Sequence, residues 1–150
     1  MDKDTAQKLA KSLTADDTGI IPYLPYLLQD LWELGSSAAE MLSLLRRHVT
    51  VSPGFAALDL GCGKGAVSVA LASQLGVRCR GIDIMDDFIR TAKQKAAECG
   101  VSHLCEFVAG DIKKAVLTER GYDLVIYGAV GDVLGTRAEI LHAIKSAVRP

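Results

Sequence analysis

Three glycines at alternate positions, Gly61, Gly63 and Gly65, follow the apolar Leu58-Asp59-Leu60 and precede a second apolar run, residues 66–75. That order predicts a strand, a tight turn and a helix. Glycine lets the chain turn sharply and lets a ligand approach the backbone, and the unpaired amides at a helix start suit an anionic group. Asp83 ends the next apolar stretch, where a carboxylate can accept both hydroxyls of a ribose. Together these residues offer a seat for an adenosine-type ligand.

Two ligand classes fit such a seat. Gly61, Gly63 and Ala66 satisfy the dinucleotide pattern Gly-x-Gly-x-x-Gly/Ala. Asp59, just before the turn, separates the two. Its carboxylate would repel a pyrophosphate and attract a ligand carrying a sulfonium and an ammonium group. A second role open to Asp59 is to brace the loop by accepting from its amides. Lys64 is not followed by Ser or Thr, so the triphosphate-loop pattern is absent; its side chain either reaches a ligand carboxylate or points to solvent.

The elements that position this loop follow from apolar spacing. Before Ser52-Pro53-Gly54 the pattern is helical: Ala6, Leu9, Ala10 and Leu13 on one face, then Pro22 and Pro25 interrupting, a helix over residues 27–34 stopped by Gly35, and a helix with Ala38, Met41, Leu42 and Leu45 inward behind a Ser37/Glu40 capping box. After it, strands are predicted over residues 55–60, 77–83, 104–108 and 122–127. Helices alternate with them over 66–75 and 86–99, with a weak helix or loop over 112–119 and a helix capped by Thr136 and Glu139 that buries Ile140, Leu141, Ile144 and Val148. Such alternation implies a parallel sheet with right-handed crossovers.

Leu58-Asp59-Leu60-Gly61-Cys62-Gly63-Lys64-Gly65 resembles the first motif of the class I S-adenosylmethionine-dependent methyltransferases. Gly81-Ile82-Asp83-Ile84, Val108-Ala109-Gly110-Asp111-Ile112 and Tyr122-Asp123-Leu124-Val125-Ile126-Tyr127 resemble their next three motifs in the same order, over residues 55–150. The resemblance implies a Rossmann-like, doubly wound α/β fold with a mainly parallel sheet, its first four strands present, behind an N-terminal helical extension. It implies S-adenosylmethionine as cofactor and S-adenosylhomocysteine as product. The loop Gly61, Cys62, Gly63 and Gly65 would line the methionine and ribose portion, with Asp59 near the amino group. Asp83 would hold the ribose, Ile84 and Met85 would pack on adenine, Asp111 would accept from its amine and Ile112 would cover the ring. Backbone at Tyr127 and Gly128 would face the methionine end. Core packing is the other role open to Ile84, Met85 and Ile112.

Methyl transfer needs positioning more than acid–base chemistry, so a catalytic base is not expected from sequence. Asp132 and Tyr127 are the substrate-side candidates, against a solvated loop and a packing role respectively. The segment after the fourth strand lacks the Asn/Asp-Pro-Pro-Tyr/Phe pattern of amino-methylating nucleic-acid enzymes. Tyr23, Tyr26 and Trp32 either approach the ligand or pack the N-terminal helices onto the sheet.

Net charge is −1 and nearly half of the 150 residues are apolar. A basic nucleic-acid face is therefore not indicated, no apolar run reaches membrane-spanning length, and the charged start lacks a secretion signal. Cys62, Cys79, Cys99 and Cys105 show no metal-ligand spacing and read as free buried thiols, and the three histidines as surface groups. A cytoplasmic enzyme with a small-molecule acceptor is expected, divided into a cap (residues 1–52) and a cofactor domain (53–150) truncated at its C-terminus. The open edge of the fourth strand makes a homo-oligomer a further expectation. A nicotinamide-dependent oxidoreductase and a non-catalytic S-adenosylmethionine-binding module are the alternatives.

Overall fold

The computed structural model describes residues 1–150. Its centre is a parallel sheet in the order β3-β2-β1-β4, built from β1 (Ala56–Leu60), β2 (Arg78–Asp83), β3 (Cys105–Ala109) and β4 (Leu124–Ile126). Strand order reverses at β1, which pairs with β2 on one side and β4 on the other. Ligands of such sheets bind at this switch point, beyond the carboxyl ends of the strands. The register pairs Leu60 with Ile82 and Asp83 with Ala109, so the residues following all three strands emerge at one edge.

Helices cover both faces, which is why β1 is apolar apart from Asp59: Ala57, Leu58 and Leu60 are fully buried. On one face, α3 (Ala38–His48) and α4 (Ala66–Leu75) set Leu42, Leu45, Val67 and Leu71 against Ala57 and Ile126. On the other, α6 (Ile112–Thr118) sets Ile112 and Val116 against Leu58, Leu60 and Ile82. Helix α5 (Asp86–Glu98) packs Ile89, Ala92 and Ala96 against Phe107 and the flank of α4. Helix α4 is apolar nearly all round because it is buried nearly all round.

The chain begins with α1 (Lys3–Ser12), then a 3₁₀ turn (Thr18–Tyr23) and the single-turn α2 (Leu24–Leu27). The expected helix over residues 27–34 does not form. The carbonyls of Leu28, Gln29 and Leu31 are taken by the ammonium of Lys64, not by amides four residues on, and the segment runs as an irregular strap.

Other differences have equally local causes. Ser37 caps α3 by accepting from Glu40 N and Glu33 accepts from Ala38 N, but Glu40 does not return a bond to Ser37 N, so that box is incomplete, whereas the Thr136/Glu139 box on α7 (Arg137–Lys145) is complete. That helix buries no residue, Leu141 is 65% exposed, and Val148 leaves the helix to bridge Tyr122 in parallel. Strand β4 is shorter than expected because Tyr122 pairs with residues 147–149 while the carboxylate of Asp123 receives Ala56 N. Residues 112–118 are helical, with Asp111 as N-cap. The four thiols are free, but only Cys79 is buried; Cys62 and Cys105 are half-buried and Cys99 is exposed. No helix is long and apolar enough to cross a membrane.

Candidate functional site

The turn after β1 can exist because its glycines occupy the left-handed region, at φ +75° for Gly61 and +76° for Gly65. A Cβ on Gly61 would lie 2.6 Å from Val130 Cγ2; one on Gly65 would lie 2.8 Å from Phe107 Cζ and 2.9 Å from Ala92 Cβ. Gly65 thus lets α4 start against the core and faces no cleft, whereas Gly61 and Gly63 border two.

The amides of the turn itself are taken up within the protein, whereas those of Lys64, Ala66 and Val67 at the start of α4, beside the smaller cleft, have no partner. Gly61 N and Cys62 N both donate to Ile82 O, Gly65 N donates to Cys62 O, and Gly63 N donates to Asp83 Oδ2 at 2.9 Å. Asp83 Oδ1 accepts from Met85 N. Burial raises the pKa of Asp83, and the amides of Met85, Gly63 and Ile84 hold the rise back. Asp59 does not brace the loop: it is buried and accepts from Ser68 Oγ at 2.7 Å. Burial pushes its pKa up to about 6, opposed by the Ser68 bond and aided by the charge of Asp83.

The larger cleft, about 820 Å³ counting its mouth, lies between the ends of β1, β2 and β3 and the N-terminal helices. Asp83, Ile84, Met85, Asp111 and Ile112 form its floor; Thr5, Leu9 and Leu13 of α1 form its roof. The smaller, about 370 Å³, holds Asp59, Gly128 and the backbone of Cys62, with Trp32 and Ser36 from the strap and its continuation. Leu34, Gly61 and Gly63 border both clefts.

The side chains of three sequence candidates point away from the clefts. The hydroxyl of Tyr127 donates to Gly131 O and accepts from Leu134 N, so its ring packs within its own loop. Asp132 is exposed and faces Lys11 at 3.9 Å. The thiol of Cys62 turns inward toward Gly81, where burial raises its pKa. Lys64 meets neither expectation. It is 5% exposed, with its ammonium donating to the strap carbonyls, and burial lowers its pKa. Of the aromatics, Tyr23 and Tyr26 are exposed, and Trp32 borders the smaller cleft while donating to Lys64 O.

Sequence reasoning missed the roof of the larger cleft. Thr5, Leu9 and Leu13 recur at intervals of four, one stripe of α1, so the spacing carried the signal. Leu34 and Val130, which stand over Gly63 and Gly61, had no such signal.

Sheet order, glycine turn and acid-lined clefts together define a doubly wound α/β domain built to hold a nucleoside. A family model described as a methyltransferase domain matches residues 52–150, and the chain belongs to this family, in agreement with its resemblance to the class I S-adenosylmethionine-dependent methyltransferases. It is 34% identical over 97 residues to a ubiquinone biosynthesis O-methyltransferase of Methylobacterium, an alignment covering 65% of this chain and 38% of that enzyme. The structure of a methyltransferase from Geobacter sulfurreducens in complex with S-adenosylhomocysteine superimposes with a TM-score of 0.59 at 28% identity, over 75% of this chain and 44% of that one. The structure of YjhP from Escherichia coli gives 0.63 at 29% identity, over 75% and 44%. The chain thus spans less than half the length of these relatives.

Proposed function

We propose that this chain binds S-adenosylmethionine across the two clefts and serves in methyl transfer to a small, largely apolar acceptor. The observation that carries this reading is the sign of the charge at the glycine turn. Asp59, Asp83 and Asp111 face the clefts, and Lys64, the one cation among the lining residues, is held by the strap. A pyrophosphate would meet three carboxylates and no free cation, whereas a sulfonium nucleoside with an amino group is attracted. This disfavours the oxidoreductase alternative.

The residues fit the parts of the ligand. Asp83 would accept the ribose hydroxyls, Ile84, Met85 and Ile112 would sandwich the adenine, and Asp111, whose one oxygen caps Lys113 N, would offer the other to the adenine amine. Asp59 would face the amino group from the smaller cleft, near Gly128. Bound S-adenosylmethionine supplies an already activated methyl group. What remains for the protein is to hold an acceptor atom in line and to exclude water, which residues 1–52 would do as a cap through α1 and the strap. The lining of the larger cleft contains no Lys or Arg, which favours an acceptor without phosphate or carboxylate and disfavours nucleic acid. A cytoplasmic setting accords with the four free thiols.

The test is production of S-adenosylhomocysteine from S-adenosylmethionine by the purified protein with a panel of phenols, catechols and amines. Turnover with a neutral aromatic member supports the reading; turnover solely with RNA or with a phosphorylated acceptor overturns the acceptor class.

A further inference from the structure

We propose that Gly35 and Ala129 form a gate between the two clefts, and that the loop of residues 128–131 swings to admit the amino-acid tail of the methyl donor to the smaller one; this rests on the S-adenosylmethionine reading above. The end of the strap and this loop run side by side across the glycine turn. Leu34 stands over Gly63 and Val130 over Gly61; between them a Cβ on Gly35 would lie 2.8 Å from Ala129 Cβ, and Gly128 sits under Ser36 with no room for a side chain. Leu34, Ala129 and Val130 line the larger cleft, and Leu34, Ser36 and Gly128 line the smaller. The seam therefore lies over the junction that a ligand occupying both clefts must span. On its outer side Gly35, Ser36, Gly128 and Ala129 face a surface groove with Glu40 and Met41, which gives the loop room to move.

Two features make the loop the moving side. The strap is pinned to the glycine turn by the ammonium of Lys64, yet no hydrogen bond joins residues 34–37 to residues 128–131, so the seam is closed by packing alone. Ala129 also stands at φ +55°, in the left-handed region that a residue with a Cβ occupies only at a cost. Such strain persists where neighbours impose it, and it gathers at clamps and switches. Here closure against Gly35 imposes it and opening releases it. Gly128 and Gly131 flank the segment as hinges, and the Tyr127 hydroxyl holds Gly131 O, so the loop keeps its shape as it moves. Gly35, at φ +111°, completes the closed form because a methyl group there would meet Ala129.

The experiment uses the whole chain as wild type, Ala129→Gly and Gly35→Ala. Surface plasmon resonance on the immobilised proteins gives association and dissociation rates for S-adenosylhomocysteine and for methylthioadenosine, which has the nucleoside but no amino-acid tail. Glycine at 129 relieves the closed form and should slow both rates for S-adenosylhomocysteine by roughly 3–10-fold, the cost of a left-handed alanine less the freedom that glycine adds. Alanine at 35 crowds the closed form and should speed both. The gate closes before and after binding, so Kd should stay unchanged, and the methylthioadenosine rates should not move. Should Gly35→Ala fail to fold in a melting curve, Ala129→Gly decides alone. Unchanged S-adenosylhomocysteine rates in Ala129→Gly, or equal slowing of methylthioadenosine, overturn the gate and leave the proposed function standing. A change confined to dissociation, with Kd shifted, would make Ala129 a ligand contact and also overturn the gate. A wild type that binds neither ligand overturns both readings.

Discussion

The indole N–H of Trp32 donates to the carbonyl oxygen of Lys64 at 3.0 Å, and the ammonium of that lysine returns to the carbonyl of Leu31 at 2.7 Å and to those of Leu28 and Gln29. This exchange fastens the strap to the glycine turn, so the segment closing the smaller cleft and the loop lining it are one mechanical unit. Lys64→Met keeps the aliphatic stem and strands the carbonyls. It should cost roughly 2–3 kcal/mol in urea unfolding, typical of hydrogen bonds to a charged group, and proteolysis within residues 28–34 should accelerate. Unchanged stability and cleavage would mean that the strap holds by packing alone.

Asp83→Ala should weaken S-adenosylhomocysteine binding by roughly 1–3 kcal/mol, the usual consequence of leaving buried polar partners unpaired. Its carboxylate already orders Gly63 N and Met85 N at 2.9 Å each, so part of the loss will appear as loop disorder. Calorimetry giving wild-type affinity would remove Asp83 from the ribose.

The two left-handed glycines that bound α4, Gly65 at its start and Gly76 at its end, differ in what they tolerate. Gly65→Ala combines a left-handed backbone with contacts of 2.8 and 2.9 Å to Phe107 and Ala92 and should lose roughly 2–4 kcal/mol. Gly76→Ala has a similar φ of +67° with open space around it, and should lose about 1 kcal/mol. Equal losses in thermal melts would show that backbone strain, not crowding, governs both.

Asp59 sets a pH dependence. Its pKa rises from 3.8 in the unfolded chain to about 6 in the fold, so the folded state keeps a proton that the unfolded state has released. Stability from this group is therefore present below about pH 4 and is lost as pH rises to about 6, by about 3 kcal/mol at most. Asp59→Asn should flatten that slope. A ligand ammonium favours the ionised carboxylate, so S-adenosylhomocysteine affinity in the wild type should rise between about pH 5 and 7, and less steeply in Asp59→Asn. Identical affinity profiles would take Asp59 out of the ligand site.

Local spacing made the sheet and much of the site legible. Gly61, Gly63, Asp83 and Asp111 each lie at or just beyond a strand end, and an apolar run closed by Gly or Asp is visible without knowing what packs where. What stayed hidden depends on residues distant in sequence. The helix expected over residues 27–34 was overridden by Lys64, more than 30 positions on, whose ammonium competes for the carbonyls a helix would use. Tyr127 looked exposed to ligand because its strand points at the crevice, yet its hydroxyl finds Gly131 O in its own loop. The amides of Gly61, Cys62 and Gly63 fit an anion site by motif, but Ile82 O and Asp83 consume them and leave unpartnered only amides at the start of α4.

The central claim is that the acid-lined turn receives a cationic nucleoside and refuses a pyrophosphate. Isothermal titration of the purified chain with S-adenosylmethionine and, separately, with NADH tests it most directly. The account predicts saturable one-to-one binding of S-adenosylmethionine, lost or greatly weakened in Asp83→Ala, with no heat from NADH. Saturable NADH binding beside an inert S-adenosylmethionine titration would contradict it.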